Sequence, residues 1–190
     1  ISSSIEGCLT QSMDIIRLIA QRMDEAKPVA KRNPFVRFGS CDSYLFVGDG
    51  SYSEQSLVEG YNSYSSAVFS VLGDIVPKME VQGVQNVLFE GVQLAPSLVA
   101  PYLKADNKLI IVTAGEDQLR KNRNKLFRDD QELLERYAIE RLLLLQKEIL
   151  RQSREIDPDK IVIVGNNLDV GSAASQVLSS LFFSGTIEAI

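Results

Sequence analysis

The sequence predicts an α/β protein, a three-layer sandwich built on a mainly parallel sheet. Three apolar runs carry that prediction: Asn86-Val87-Leu88-Phe89, Lys108-Leu109-Ile110-Ile111-Val112-Thr113 and Lys160-Ile161-Val162-Ile163-Val164-Gly165. They are β-branched and lack polar alternation, as strands buried on both faces do. Helical segments separate them, and that succession implies right-handed crossovers between parallel neighbours.

In chain order, Ser3-x-x-Glu6 has the form of a capping box, and Leu9, Met13, Ile16, Ala20 and Met23 follow at helical spacing. With Pro28 and Pro34 closing the segment, residues 5–26 read as a helix. Tyr44-Leu45-Phe46-Val47 reads as a short strand, running into the turn-prone Gly48-Asp49-Gly50-Ser51. A second long helix starts near Glu54, with Val58, Tyr61, Tyr64, Val68, Leu72, Ile75 and Met79 on one face. Pro77 should kink it or end its regular part. The longest helix is expected over Asp129–Arg154, entered by Asp129-x-x-Glu132 and striped by Leu134, Ala138, Leu142, Leu145 and Ile149. A last one is expected from about Gly171 to Phe183.

The chain has 190 residues, enough for one α/β domain over 1–190 with a sizeable core. It is 45% hydrophobic and 24% charged, an ordinary globular composition. No histidine is present, which excludes a Ser/His/Asp triad, His-ligated zinc and an imidazole proton shuttle. Cys8 and Cys41 stand alone and suit a reducing cytoplasm rather than a disulfide framework. The apolar runs are far shorter than the roughly 20 residues of a spanning helix, so no membrane segment is expected. The start, Ile1-Ser2-Ser3-Ser4, has neither the pattern of a signal peptide nor an initiator Met. It reads as the start of a processed chain or of part of a longer one.

Ligands of open parallel sheets bind at the carboxyl ends of the strands. Three places qualify. Glu90, followed by Gly91, ends the first run; an acid there can hold magnesium through water, orient a substrate hydroxyl, or simply cap the strand and pair with an arginine. Asp117–Arg128 carries Arg120, Lys121, Arg123, Lys125 and Arg128 against one acid. Such cations suit phosphate oxygens, although a solvated helix face has the same look; Arg136 and Arg141 lie on the next helix. Asn166-Asn167-Leu168-Asp169 follows the last run and suits either a nucleotide base or a turn with Asp169 as N-cap. No G-x-x-x-x-G-K-[ST] phosphate loop occurs.

Val87-Leu88-Phe89-Glu90-Gly91-Val92-Gln93-Leu94-Ala95-Pro96 resembles the "EGVHL-P" segment of the archaeal 2-phosphoglycerate kinases, which are P-loop kinases. Glu135-Arg136-Tyr137 is similar to their "RYL" helix, and Ile161–Asn166 with Leu168-Asp169 to their last strand and loop; the likeness spans about residues 55–182. It implies a P-loop kinase-like core acting with ATP and Mg2+ on a small phosphorylated acid. Carried over by position, Arg120, Arg123 and Arg128 would close over the phosphates as the catalytic cations. Asn166 and Asn167 would bind the nucleotide cofactor. Glu90, Gln93 and Arg136 would bind substrate, with Glu90 also at the metal. Gln93 stands where the family has His and can neither carry charge nor act as a base. The family's first strand and phosphate loop have no counterpart here, and that strand would lie between those of Asn86 and Leu109.

Two readings follow: a small-molecule kinase whose phosphate loop is supplied elsewhere, or a non-catalytic kinase-derived binding or assembly module. Self-association fits either. Nucleic acid is the weaker third partner, because the net charge is -5 and no aromatics interleave the basic stretch.

Overall fold

The computed structural model describes residues 8–83, 86–103, 107–165 and 170–182. It is mixed α/β and mostly helical, with two small parallel sheets of two strands each. Strand β1 (Cys8–Ser12) pairs with β2 (Asn86–Glu90), placing Ser12 opposite Glu90. Strand β3 (Leu109–Thr113) pairs with β4 (Ile161–Gly165), placing Thr113 opposite Gly165. All three apolar runs are therefore strands, but they do not form one sheet. Among the described residues no ladder joins β2 to β3.

The partner of β2 is a segment whose apolar spacing reads as helix, and this corrects the expectation for residues 5–26. The helix, α1, begins only at Met13 and ends at Glu25. Its N-cap is Ser12, whose hydroxyl accepts the Asp14 amide at 3.3 Å. The Ser3-x-x-Glu6 pair lies outside the described residues.

Helix α2 (Glu54–Val81) buries Leu57, Tyr61, Tyr64, Val68 and Leu72 along one face. Pro77 lies inside it and does not end it. The Tyr44–Val47 strand is not formed. Ser40–Phe46 is a 3-10 turn, closed by the Ser43 hydroxyl donating to the Ser40 carbonyl at 2.7 Å. Gly60 of α2 makes that possible. A Cβ there would stand 2.5 Å from the Ser43 carbonyl carbon and 2.6 Å from the Tyr44 nitrogen, so only glycine lets the helix lie on the turn's main chain.

Beyond β2 come α3 (Pro96–Val99) and, after β3, α4 (Glu116–Leu126). The helix expected over 129–154 is two helices, α5 (Gln131–Arg136) and α6 (Ile139–Ser153). The chain leaves helical geometry at Tyr137 and Ala138, where the Tyr137 ring stacks on Phe127 at 5.0 Å. The first cap is Asp130, not Asp129; its carboxylate accepts the Leu133 amide at 2.9 Å. Helix α7 spans Val170–Phe182.

The core is a set of clusters. Met13 and Ile16 of α1 meet Tyr64, Val68 and Leu72 of α2. Cys41, Leu57, Tyr61, Ala95 and Leu145 tie the 3-10 turn and α2 to α6. Leu109 and Ile111 pack on Ile156, and Val162 and Val164 on Val177 of α7. Gln152 of α6 is a buried polar knot: it donates to Asn62 and Glu148, each at 2.9 Å, and accepts from Ser97 of α3.

Apolar surface remains uncovered. Ile15, Leu18, Ile19 and Met23 form a second stripe on α1 at 41–53% exposure, and Val112 of β3 is 62% exposed. No helix among the described residues is long and apolar enough to cross a membrane.

Candidate functional site

Three neighbourhoods receive the expected site residues. The first is the carboxyl end of β1 and β2. Glu90 is exposed there, beside Ser12 in register. Gly91 follows at φ 150, and a Cβ on it would come within 2.4 Å of Gln93 Oε1 and 2.6 Å of Met13 Cβ. The glycine is therefore required for the chain to turn and bring Gln93 inward.

Gln93 is only 1% exposed. Its amide nitrogen donates to Asp14 Oδ1 and to the Tyr64 hydroxyl oxygen, both at 2.8 Å, while Oε1 has no protein partner. Burial pushes the Tyr64 phenol up to about 12, so it stays protonated and can donate as well as accept. Arg17 lies 3.9 Å from Asp14. Sequence reasoning places Gln93 here and misses Asp14, because the N-terminal turn of α1 was hidden inside an expected longer helix.

The second neighbourhood is a cleft of about 1000 Å³ between α4 and α5, lined by Lys121, Arg123, Lys125 and Arg128 with Asn124, Gln131, Leu134 and Glu135. Four of the five cations of the basic stretch thus share one opening. Arg123 is held by Asn124 at 3.2 Å and by the Leu134 carbonyl at 3.5 Å. Arg120 does not line it; it pairs with Glu116 at 2.7 Å across one helical turn.

The third is a cavity of about 260 Å³ lined by Phe38, Asp42, Tyr44, Leu45, Glu135, Arg136 and Arg141. Glu135 belongs to both openings. Arg136 Nε meets the buried Asp42 at 3.1 Å, and its other arm meets Glu132 at 2.8 Å. Burial raises the Asp42 carboxyl above its usual range, against the opposing pull of Arg136 and Arg141. Arg141 lies 5.0 Å from the centre of the Tyr44 ring and 4.8 Å from that of Tyr52. Asp42, Tyr52 and the pairing of Arg141 with the two rings are invisible in sequence, since each partner comes from a different element.

Asn166 and Asn167 lie outside the described residues. Among those described, no group of three or more His, Cys, Asp or Glu could hold a metal ion. Glu90 offers one exposed carboxylate. No protein-family model, characterised protein or solved structure matches the chain.

Proposed function

We propose that the chain is kinase-like, handling phosphoryl transfer from ATP to a small phosphorylated acid, with its phosphate loop supplied from outside the residues seen here. The observation that carries this is the cationic cleft: Lys121, Arg123, Lys125 and Arg128 open on one cavity in a protein of net charge -5. Guanidinium and ammonium groups gathered this way neutralise phosphate oxygens and the charge of a moving phosphoryl group. In this reading Arg123 and Arg128 act on the phosphates, and Arg120 joins them by leaving the exposed Glu116. Glu90 serves magnesium or a substrate hydroxyl, Arg136 borders the substrate, and the base is left to Asn166 and Asn167 on the resemblance alone. When bound, ATP with magnesium would supply the phosphoryl group; the protein's part is to position and neutralise. A strand inserted between β2 and β3 would join the two parallel pairs into the sheet of a three-layer sandwich.

The exposed stripe of α1 favours a second reading, a non-catalytic module that covers this surface with a partner. Calorimetry with ATP, inorganic triphosphate and Mg2+ separates the two. The kinase-like reading expects weak polyphosphate binding that disappears in Arg123→Glu/Arg128→Glu. No binding at millimolar triphosphate, or binding indifferent to that double change, would overturn it. Sub-micromolar ATP binding would show that the chain carries a complete phosphate cradle.

A further inference from the structure

Helix α1 has two apolar faces, and the chain uses one of them. Met13, Ile16 and Ala20 are buried, the first two against α2. Ile15, Leu18, Ile19 and Met23 recur at the same helical spacing on another side and stay about half exposed. A single exposed Leu or Ile is ordinary, but four in line along one helix make a contiguous patch.

The two ends of that stripe differ in charge. At the amino end the Asp14 side chain is 73% exposed, although Gln93 and Arg17 share it. Glu90, also exposed, stands in register with Ser12, the N-cap of the helix. At the carboxyl end lie Arg22, Lys27, Lys31 and Arg32. The Arg22 side chain is 83% exposed and pairs with Glu25 at 2.8 Å, while Lys27 meets the buried Asp24 at 3.3 Å. Arg32 donates to the main-chain carbonyls of Lys27 and Glu25 rather than to a carboxylate. Lys31 has no carboxylate within ion-pair distance among the described residues. Each end suits the dipole of its own helix. The dipole does not account for the apolar side chains left in water between the two ends.

A surface that is acidic at one end, apolar in the middle and basic at the other is complementary to itself turned end for end. We propose that the stripe is covered by α1 of a second copy of this chain, the two helices packing antiparallel across a two-fold axis near Leu18 and Ile19. Such an interface is isologous, so each favourable contact occurs twice. Leu18 and Ile19 meet their own counterparts, and Arg22 of each copy lies over the first turn of the other, within reach of Asp14. Parallel pairing would instead oppose Asp14 to Asp14 and Arg22 to Arg22. The patch is a few hundred Å², whereas stable interfaces bury about 1,200–2,000 Å² in total, so the dimer is weak. The proposal rests on the second reading, in which a partner covers the stripe, and needs no nucleotide.

The test is sedimentation equilibrium of the full chain up to about millimolar concentration, where a dimer with a dissociation constant of roughly 10–500 µM is expected. Leu18→Lys/Ile19→Lys, at exposed positions, should leave the circular dichroism unchanged and abolish the dimer. Arg22→Glu should weaken it at least tenfold. Asp14→Asn, which keeps an oxygen for Gln93 and loses the charge, should weaken it less. Orientation is read by oxidative cross-linking in a Cys8→Ser background. Leu18→Cys should give a covalent dimer and Arg22→Cys should not, because the axis separates the two copies of position 22 by about 10 Å along the helices. A monomer at every concentration, a dimer indifferent to Leu18→Lys/Ile19→Lys, or cross-linking at position 22 as ready as at 18 would overturn the proposal. A monomer whose stripe binds anionic vesicles would keep a covered stripe and sink the second copy. A monomer that binds no apolar dye at the stripe would sink both.

Discussion

Gly60→Ala and Gly73→Ala change the same helix in the same way, and the structure gives them opposite signs. Alanine is better than glycine inside a helix by about 1 kcal/mol, so propensity alone stabilises both variants. At Gly73 a Cβ meets nothing within 4 Å, and that gain is kept. Pro77, one turn on, crowds the carbonyl of residue 73 rather than its α-carbon. At Gly60 the Cβ would lie 2.5 Å from Ser43 C, 2.6 Å from Tyr44 N and 2.7 Å from Ser43 O. Carbon contacts are comfortable at about 3.5–4 Å, so helix and turn must part by about 1 Å. Overpacking costs about 1–3 kcal/mol, and main chain cannot rotate aside as a side chain can, which puts this site at the upper end. The net expectation is a loss of about 2 kcal/mol at Gly60 against a gain of up to about 1 at Gly73. For a chain of this size that is a melting temperature lower by about 4–8 °C and higher by about 2–4 °C respectively. Thermal melts by circular dichroism, supported by urea titrations, measure both. If Gly60→Ala is as stable as Gly73→Ala, α2 does not lie on the Ser43–Tyr44 main chain, and the rigid wall of the Asp42 cavity goes with it.

Gln152→Leu should cost about 1–3 kcal/mol in urea titration, because Ser97 and Asn62 lose a buried partner that an apolar side chain cannot replace; an unchanged midpoint would show those groups are already solvated. Asp24 carries a pH dependence. Its carboxylate accepts the Asn33 amide at 2.8 Å and Lys27 at 3.3 Å, and the Asn33 bond foremost holds it below the usual carboxylate range despite burial. A lowered folded value means stability present above the unfolded value of about 3.9 and lost as pH falls through the folded one. Asp24→Asn should therefore flatten the acid limb of urea midpoints below about pH 4, and an identical limb would remove Asp24 from the account. Replacing Ile15, Leu18, Ile19 and Met23 by Gln or Lys should reduce light scattering and dye binding without lowering the melting temperature. Loss of folding in that variant would mean the stripe packs inside the monomer.

The legible strands, β2, β3 and β4, are short apolar runs without polar alternation, β-branched throughout most of β3 and β4. Strand β1 was hidden because Cys8-Leu9-Thr10-Gln11-Ser12 is half polar and leads straight into α1, so that Leu9, Met13 and Ile16 keep helical spacing across a change of structure. What marked the boundary was Ser12, an N-cap residue inside the apparent helix. Tyr44–Val47 misled in the opposite way. Four apolar residues look like a strand, but glycine at position 60, distant in sequence, lets them coil against α2. The split of α5 from α6 likewise follows from Tyr137 turning to stack on Phe127, a tertiary contact with no local signal.

The candidate site shows the same division between what density and what pairing can tell. Counting cations in Asp117–Arg128 finds the cleft, because neighbours on one short helix and the loop after it necessarily open near one another. Counting cannot say which of them is available to a ligand. Arg120 and Arg136 look equivalent to Arg123, Arg128 and Arg141 in sequence, yet the first two are taken up by Glu116, and by Asp42 with Glu132. Asp42 matters most here, since as a buried acid it must find a cation, and by taking Arg136 it leaves Arg141 to the tyrosines. Removing Asp42 should therefore do more than delete one carboxylate from the cavity. It should leave Arg136 with Glu132 as its one carboxylate partner among the described residues, make the cavity more positive, and strengthen binding of simple anions such as inorganic phosphate. Calorimetry with inorganic phosphate on Asp42→Asn checks this, and phosphate binding no stronger than in the parent chain would show that Glu132 alone keeps Arg136 neutralised.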